Sequence, residues 1–390
     1  MAVSGRAAIG TTPDGPARPH RPEVQLTASL EPEPAVSQRP LLSAGGPVEL
    51  EPSFDEARAL CSDASVPLSR RLEAYEDVVE SHVGDSIFTR ARNLERHFGL
   101  RQLWLKFEGD NPSGTQKDRI AFAQTTDALR RGYDTLTVAT CGNYGVAAAL
   151  AARIAGMRCV VVIPEGYHTK RIEEISELGA VLHRAGQTYE DAVTYSSEMA
   201  CKEGWYDANP GGDNELVQLR AYGEISTEIY DSLRDAPAML ACPMSNGTTL
   251  AGIYRGFRSL YRRGKTSRIP MMVGGSAWRK NPIVGAFRAG LDHCTDLAPT
   301  RIRETEVNEP LINWHSIDGD AALSAIRSSR GHAADATDKQ MKQMAQLLRK
   351  HQALHVLPAS TAGLIALLDL HEKQPLPPDR YVVVLTGRSS

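Results

Sequence analysis

The chain lacks several features that would place it at once in a large class. No two of its six cysteines (Cys61, Cys141, Cys159, Cys201, Cys242 and Cys294) are spaced Cys-x-x-Cys, and no Cys/His cluster has zinc spacing. A zinc module is therefore not expected, and no metal site is assigned. Scattered thiols without a secretory signal fit a reducing cytoplasm, where most act as small buried hydrophobes. No apolar run approaches bilayer-spanning length. The formal net charge of −3 supplies no basic surface for nucleic acid or anionic membrane. Neither the G-x-G-x-x-G fingerprint nor the Walker spacing occurs, so a dinucleotide-dependent oxidoreductase and an NTP site are excluded as readings.

What is present is an ordinary globular composition. The 390 residues are 42% hydrophobic and 23% charged, enough to bury a sizeable core in two domains or subdomains. Residues 1–50 differ: "TTPDGPARPHRPE" and "LEPEPAVSQRP" are rich in proline and small residues and show no apolar periodicity. They read as a flexible arm. From about Phe54 the pattern becomes helical, and after "LWLKFE" (Leu103 to Glu108) short apolar runs alternate with amphipathic stretches. Strands are expected at Thr135–Thr140, Cys159–Pro164, Ala180–His183, Ala238–Pro243, Met271–Gly275 and Tyr381–Leu385. Helices are expected at Val146–Ala155, Lys170–Leu178, Tyr189–Glu203, Leu216–Leu233, Thr249–Arg263, Asp338–Lys350 and Thr361–Glu372. Continuous Val/Ile/Leu runs between helices mean parallel strands covered on both faces. The fold class is α/β, with open doubly wound sheets.

In such sheets ligands bind beyond the carboxyl ends of strands, so the loops there carry the functional signal. "FEGDNPSGTQKDRIAF" places Lys117 behind a Pro/Gly turn, at a helix start. The helix dipole disfavours a cation there and lowers its pKa, which suits an amine nucleophile; a solvated surface lysine is the alternative. "ATCGNYGVAAALAA" brackets Asn143 with Gly142 and Gly145 before a helix, where backbone N–H groups can hold a carboxylate and the Asn amide a ring oxygen; a plain Gly/Asn turn of a βαβ unit is the alternative. "CPMSNGTTLAGIYRGF" leads Ser245, Asn246, Gly247, Thr248 and Thr249 into a helix N-terminus, either a phosphate cradle or an N-capping loop. Thr386, in "VVVLTGRSS", follows a buried strand directly and either faces the same crevice or merely ends the strand.

Taken together these loops resemble, in order and content, the tryptophan-synthase-β-like (fold-type II) enzymes that use pyridoxal 5′-phosphate, most closely the threonine synthases. The resemblance covers roughly residues 80–390, and "NPSGTQKDR" and "NGTTLAGIYRGF" are its specific parts. It implies two doubly wound open-sheet domains: a large cofactor-binding one from 51–126 and 236–390, and a smaller mobile one from 127–235 that carries the Asn143 loop. It implies that Lys117 forms an imine with the cofactor aldehyde and then serves as general base and acid. Asn143 would bond the cofactor's 3′-oxygen, Ser245 through Thr249 would hold its phosphate, and Thr386 would face the pyridine nitrogen. A neutral hydroxyl there favours elimination and replacement over transamination. Ser113, Thr140, Gly142, Tyr144, Asn214 and Arg220 fall at substrate-side positions, Arg220 as an anion clamp.

Several segments depart from the threonine-synthase pattern. Tyr144 stands where Thr is usual, and Glu215 stands for a Ser beside the expected substrate phosphate. Ser86-Ile87-Phe88 replaces T-P-L, and the tail ends Arg388-Ser389-Ser390. The default expectation is γ-elimination and replacement on O-phosphohomoserine, giving threonine and phosphate. The alternatives are β-replacement on O-phosphoserine or O-acetylserine (as in cysteine or 2,3-diaminopropionate synthesis), another γ-substituted amino acid, or a non-catalytic cofactor-binding relative. A homodimer is implied by the family, with a small-molecule amino-acid substrate.

Overall fold

The computed structural model describes residues 52–140, 142–167 and 171–389; the N-terminal arm expected at 1–50 lies outside them. Ten strands follow in chain order: β1 (Ile87–Arg90), β2 (Leu103–Phe107), β3 (Thr135–Ala139), β4 (Arg158–Ile163), β5 (Val181–Arg184), β6 (Tyr206–Asp207), β7 (Met239–Pro243), β8 (Met271–Ala277), β9 (His332–Ala336) and β10 (Tyr381–Leu385). They form two sheets. One has six strands in the order β1-β2-β10-β7-β8-β9, parallel except for β1; the other has four parallel strands in the order β5-β4-β3-β6. Both are covered by helices, so their central strands are buried on both faces, as at Met239–Pro243 and Tyr381–Leu385.

The expected elements are present with ends shifted by one to three residues, as at Arg171–Glu177, Asn143–Ile154 and Thr248–Arg262. The structure adds elements the apolar pattern did not signal. β9 reads "HAADA", without a β-branched residue, and β1 is half-buried along its length. Helices Pro282–Ala289 and Gly319–Ser328 are also new.

One insertion decides the architecture. β10, the last strand of the chain, lies between β2 and β7, pairing Tyr381 through Leu385 with Leu103 through Phe107 on one side. On its other side Tyr381 through Val383 pair with Met239 through Ala241. The loops after β2, β7 and β10 therefore leave one sheet end side by side. The chain tail is stitched to the Lys117 loop: Gln116 N–H donates to Thr386 O (2.9 Å), and Arg388 N–H donates to Gly114 O (2.9 Å).

A buried ionic network fixes the same loop from beneath. Arg119 bonds Glu108 through Nε (2.5 Å) and Nη2 (2.9 Å), and Glu228 through Nη1 (2.7 Å) and Nη2 (2.9 Å). Lys106 Nζ adds an ion pair to Glu228 (2.5 Å) and a bond to Ser86 O (2.6 Å), while Ser86 donates to Glu108 (2.7 Å). Two cations and two carboxylates thus balance in a largely buried site, and every partner is hydrogen-bonded. Burial opposes ionisation of Glu228, but Arg119 and then Lys106 outweigh it and pull its pKa down to about 2. The arginine two residues after Lys117 is therefore structural. It ties the helix Lys117–Arg130 to the turn Glu108–Asp110 that follows β2 and to the helix Glu215–Leu233.

Candidate active site

The helix Lys117–Arg130 buries Ile120, Ala121, Phe122, Ala128 and Leu129. That packing turns its first residue into a cavity of about 400 Å³ lying at the carboxyl ends of the strands. The cavity is lined by Lys117, Thr140, Gly142, Asn143, Tyr144, Ser245, Asn246, Gly247, Thr248, Thr249 and Thr386, among others. Loops from both sheets thus meet there. The structure does not bring Ser113, Asn214 and Arg220 to the lining. Ser113 is buried behind the Lys117 loop, its N–H donating to Asp118 Oδ2 (2.8 Å). Asn214 accepts from Tyr206 (3.1 Å) and donates to Asp207 O. Arg220 is exposed on the helix Glu215–Leu233, so the expected anion clamp points to solvent in this structure.

Lys117 keeps some accessible surface because the cavity admits solvent, yet protein encloses it deeply. Burial lowers its pKa to about 8, with Asp318 and then Glu309 holding it up in part. The direction expected from the helix start holds, and desolvation is its main cause. Its Nζ lies 5.7 Å from the centroid of the Tyr144 ring. The Tyr144 hydroxyl itself turns away, donating to Ala208 O (2.7 Å) and accepting from Gln124. Tyr144 therefore offers the cavity a ring and no hydroxyl. Asp118, next in sequence, is buried, and burial pushes its pKa up to about 7 against the bonds from Ser113.

The loop 245–249 has the form of an anion cradle. The helix Thr248–Arg262 starts at Gly247 with no side-chain cap, so its first N–H groups are left for a ligand. Gly247 has φ +95°, and a Cβ there would sit 2.7 Å from Ala322 Cβ and 2.9 Å from Asp318 O. The loop is pinned from behind: Asn281 Nδ2 donates to Ser245 O (2.9 Å), Asn313 Nδ2 to Asn246 Oδ1 (2.8 Å), and Asp318 N–H to Asn246 O (3.2 Å). An uncapped, rigid helix N-terminus beside a lysine fits a phosphorylated aldehyde. The Thr248 hydroxyl is already committed to Asp318, which leaves backbone N–H groups, Ser245 and Thr249 for the phosphate.

Thr386 Oγ1 lies 3.2 Å from Ser360 Oγ, so two neutral hydroxyls stand where the ring nitrogen is expected. Sequence reasoning missed Ser360, Asp318 and Glu309. The first follows Pro358 in "PAST", a turn cluster after a proline that could have been flagged. The other two are single acids in connecting segments with no local signature.

The family model for "Pyridoxal-phosphate dependent enzyme" matches residues 79–387, most of the chain.

The chain belongs to the pyridoxal-phosphate-dependent enzymes.

Its cofactor is pyridoxal 5′-phosphate, and threonine synthases are among its curated relatives. That of Methanocaldococcus jannaschii is 28% identical over 305 residues, 78% of this chain and 74% of that protein. That of Mycobacterium leprae is 29% identical over 267 residues, 68% and 70% of the two chains. Among solved structures, the processed form of threonine deaminase isoform 2 from Solanum lycopersicum matches with a TM-score of 0.66 at 16% identity, covering 83% of this chain and 90% of that one. Maize serine racemase matches with 0.66 at 15%, covering 82% and 94%. These likenesses establish the fold-type II architecture. Among the described residues no helix is long and apolar enough to cross a membrane.

Proposed function

We propose that this pyridoxal-phosphate-dependent enzyme carries out elimination and replacement at the β or γ carbon of an activated amino acid, as a carbon–oxygen lyase or a close variant. The observation that carries the reading is Lys117, its pKa lowered to about 8, in one cavity with the uncapped 245–249 cradle and Thr386. The cofactor, when bound, supplies an electron sink for charge developing at Cα. Lys117 would anchor it and, once released, move protons at Cα and at the neighbouring carbon; an amine near neutrality suits both directions. N–H groups at the start of Thr248–Arg262, with Ser245 and Thr249, would hold the phosphate. Asn143 would bond the ring oxygen. Thr386, backed by Ser360, would meet the ring nitrogen with a neutral hydroxyl. That choice disfavours transamination.

The cavity is walled by loops of both sheets, which supports treating 127–235 as a smaller domain that closes on substrate and excludes water. A homodimer, on the family resemblance, and a cytoplasmic compartment, on the scattered thiols, are the assembly and location we propose. O-phosphohomoserine is the substrate that resemblance names first, with the β-substituted serines as alternatives. The test is to load the purified chain with pyridoxal phosphate, reduce with borohydride and map the label. Label on Lys117 with loss of amino-acid-dependent absorbance changes in Lys117→Ala is expected. Label elsewhere overturns the reading, and a stable spectrum without turnover of any amino acid indicates a non-catalytic relative.

A further inference from the structure

The charge on the remaining wall of this cavity is unlike what a phosphorylated substrate needs. Beyond the cofactor loops, the wall carries three carboxylates, Glu190, Glu304 and Glu309, and the aromatic rings of Tyr167, Tyr189 and Trp314. Among the described residues no arginine or histidine lines it, and Lys117 is its sole lysine. Arg171 is near enough to favour the Glu309 carboxylate electrostatically, but it pairs with Glu174 (2.5 Å) and does not reach the lining. Arg220, the clamp expected for a substrate phosphate, is exposed and also outside the lining.

Glu309 is the central member of this wall. Its segment is held rigidly. Asn308 N–H donates to Thr305 Oγ1 (3.2 Å), Thr305 Oγ1 donates to Asp338 (2.7 Å), and the carbonyl of Leu311 accepts from Ser276 Oγ (3.3 Å). The Glu309 carboxylate lies against the N-terminus of the helix Asn143–Ile154: a Cβ built on Gly142 would be 3.3 Å from its Oε1. The Tyr167 hydroxyl lies 3.3 Å from Oε1 of Glu309 and 3.3 Å from Oε1 of Glu304. One phenolic proton thus serves two carboxylates, and most of their lone pairs are left for another donor. Burial pushes the Glu309 pKa up, and Glu304 adds to the rise, so a neighbouring cation relieves the pair while an anion aggravates it.

We propose that Glu309 is a specificity-determining residue that selects an amino-acid substrate with a cationic distal group, such as an ammonium, amidinium or sulfonium, and rejects a phosphate dianion. Carboxylates and aromatic faces together form the surroundings that recognise organic cations, through charge on one side and ring quadrupoles on the other. A dianion entering the same space meets, among the described lining residues, no cation but Lys117, which the chemistry already employs, and it faces Glu309. The inference rests on the reading of the site given under Proposed function and deepens it: it names the charge class of the substrate for that site.

The test uses the full chain loaded with pyridoxal phosphate. Its visible absorbance is titrated with 2,4-diaminobutyrate, homoserine and O-phosphohomoserine, which share a backbone and differ in distal charge. The expected order of apparent affinity is cation, then neutral, then dianion, with roughly a tenfold step between neighbours. Glu309→Gln, which keeps shape and removes charge, compresses the series to within about threefold and improves O-phosphohomoserine most. Glu304→Gln, at an exposed position, compresses it partly and guards against a folding effect at Glu309. Tightest binding of O-phosphohomoserine by the unaltered chain overturns the inference and leaves the reaction class standing. So does a cation preference that survives both substitutions. If no amino acid of any charge perturbs the loaded protein, the reading of the site itself falls, and the inference falls with it.

Discussion

The amide of Gln116 donates to the carbonyl of Thr386 at 2.9 Å, joining residues 270 positions apart (386 − 116) immediately beside Lys117. This bond is the local result of β10 entering the sheet between β2 and β7. It places Thr386, proposed to meet the ring nitrogen, and Lys117, proposed to bond the aldehyde, on adjoining backbone, so each constrains the other. Four further outcomes follow from the geometry around that pair.

Attachment of pyridoxal phosphate to the chain should gain rate as pH rises and reach half its maximum near pH 8, because only the neutral amine attacks. Burial sets that value, and Asp318 and Glu309 keep it from falling further. Stopped-flow absorbance across pH 6–11, a range of about five units around the ordinary lysine and shifted values, checks this. A midpoint near the ordinary lysine value of about 10.4 would show a solvated Lys117.

Replacing Arg119 with methionine should leave Glu108 and Glu228 buried with only Lys106 nearby. The expected loss is about 3–5 kcal/mol of unfolding free energy, the usual cost of orphaning buried carboxylates. Urea denaturation reads it directly. Because Glu228 is held down to about 2, its contribution is complete above its ordinary carboxylate range and is lost as pH falls through about 2. The variant should therefore lose part of its acid sensitivity as well.

Gly247→Ala should weaken cofactor binding more than it weakens the fold. The backbone at φ +95° strains an alanine, at roughly 1–2 kcal/mol. The new methyl also presses on Ala322 and the Asp318 carbonyl, displacing the loop that offers its N–H groups. Equilibrium titration with pyridoxal phosphate, compared with thermal unfolding of the cofactor-free chain, separates the two effects. Equal losses in both would contradict a cradle role.

Asp318 sets a pH dependence on cofactor affinity. It accepts from the Thr248 hydroxyl beside the cradle, and burial raises its pKa. The charged form repels a phosphate, so affinity should decline as pH climbs through that raised value, while lysine attachment moves the other way. Asp318→Asn should flatten the decline and tighten binding at alkaline pH. A dissociation constant for pyridoxal phosphate that responds identically to pH in both proteins would count against this account.

The loops that gather at the cavity were legible in the sequence because their turn chemistry is local. A turn followed by Lys117, a Gly/Asn start at 142–143 and a hydroxyl-rich helix entry at 245–249 are each contiguous, and each sits where a buried strand ends. The strands themselves were legible where both faces are buried, as in "CVVVIP" and "YVVVL", because an unbroken β-branched run has few other uses. β9 was not legible: "HAADA" joins the sheet through its backbone and its place beside β8, with little help from its side chains.

The substrate half had to wait for tertiary structure. By itself the sequence determined the α/β class and marked Lys117 and the 245–249 loop, which the fold brings to one cavity, since periodicity and turn chemistry act between residues a few positions apart. Only the folded chain decided that Glu309 lies against Gly142, that the Tyr144 hydroxyl turns inward to Ala208, and that Arg220 faces solvent. The first two depend on segments that meet across 167 and 64 positions of chain (309 − 142 and 208 − 144), and no local pattern encodes such meetings. They are set by how helices pack on the two sheets, and so the charge of this cavity wall was decided by packing and not by motif.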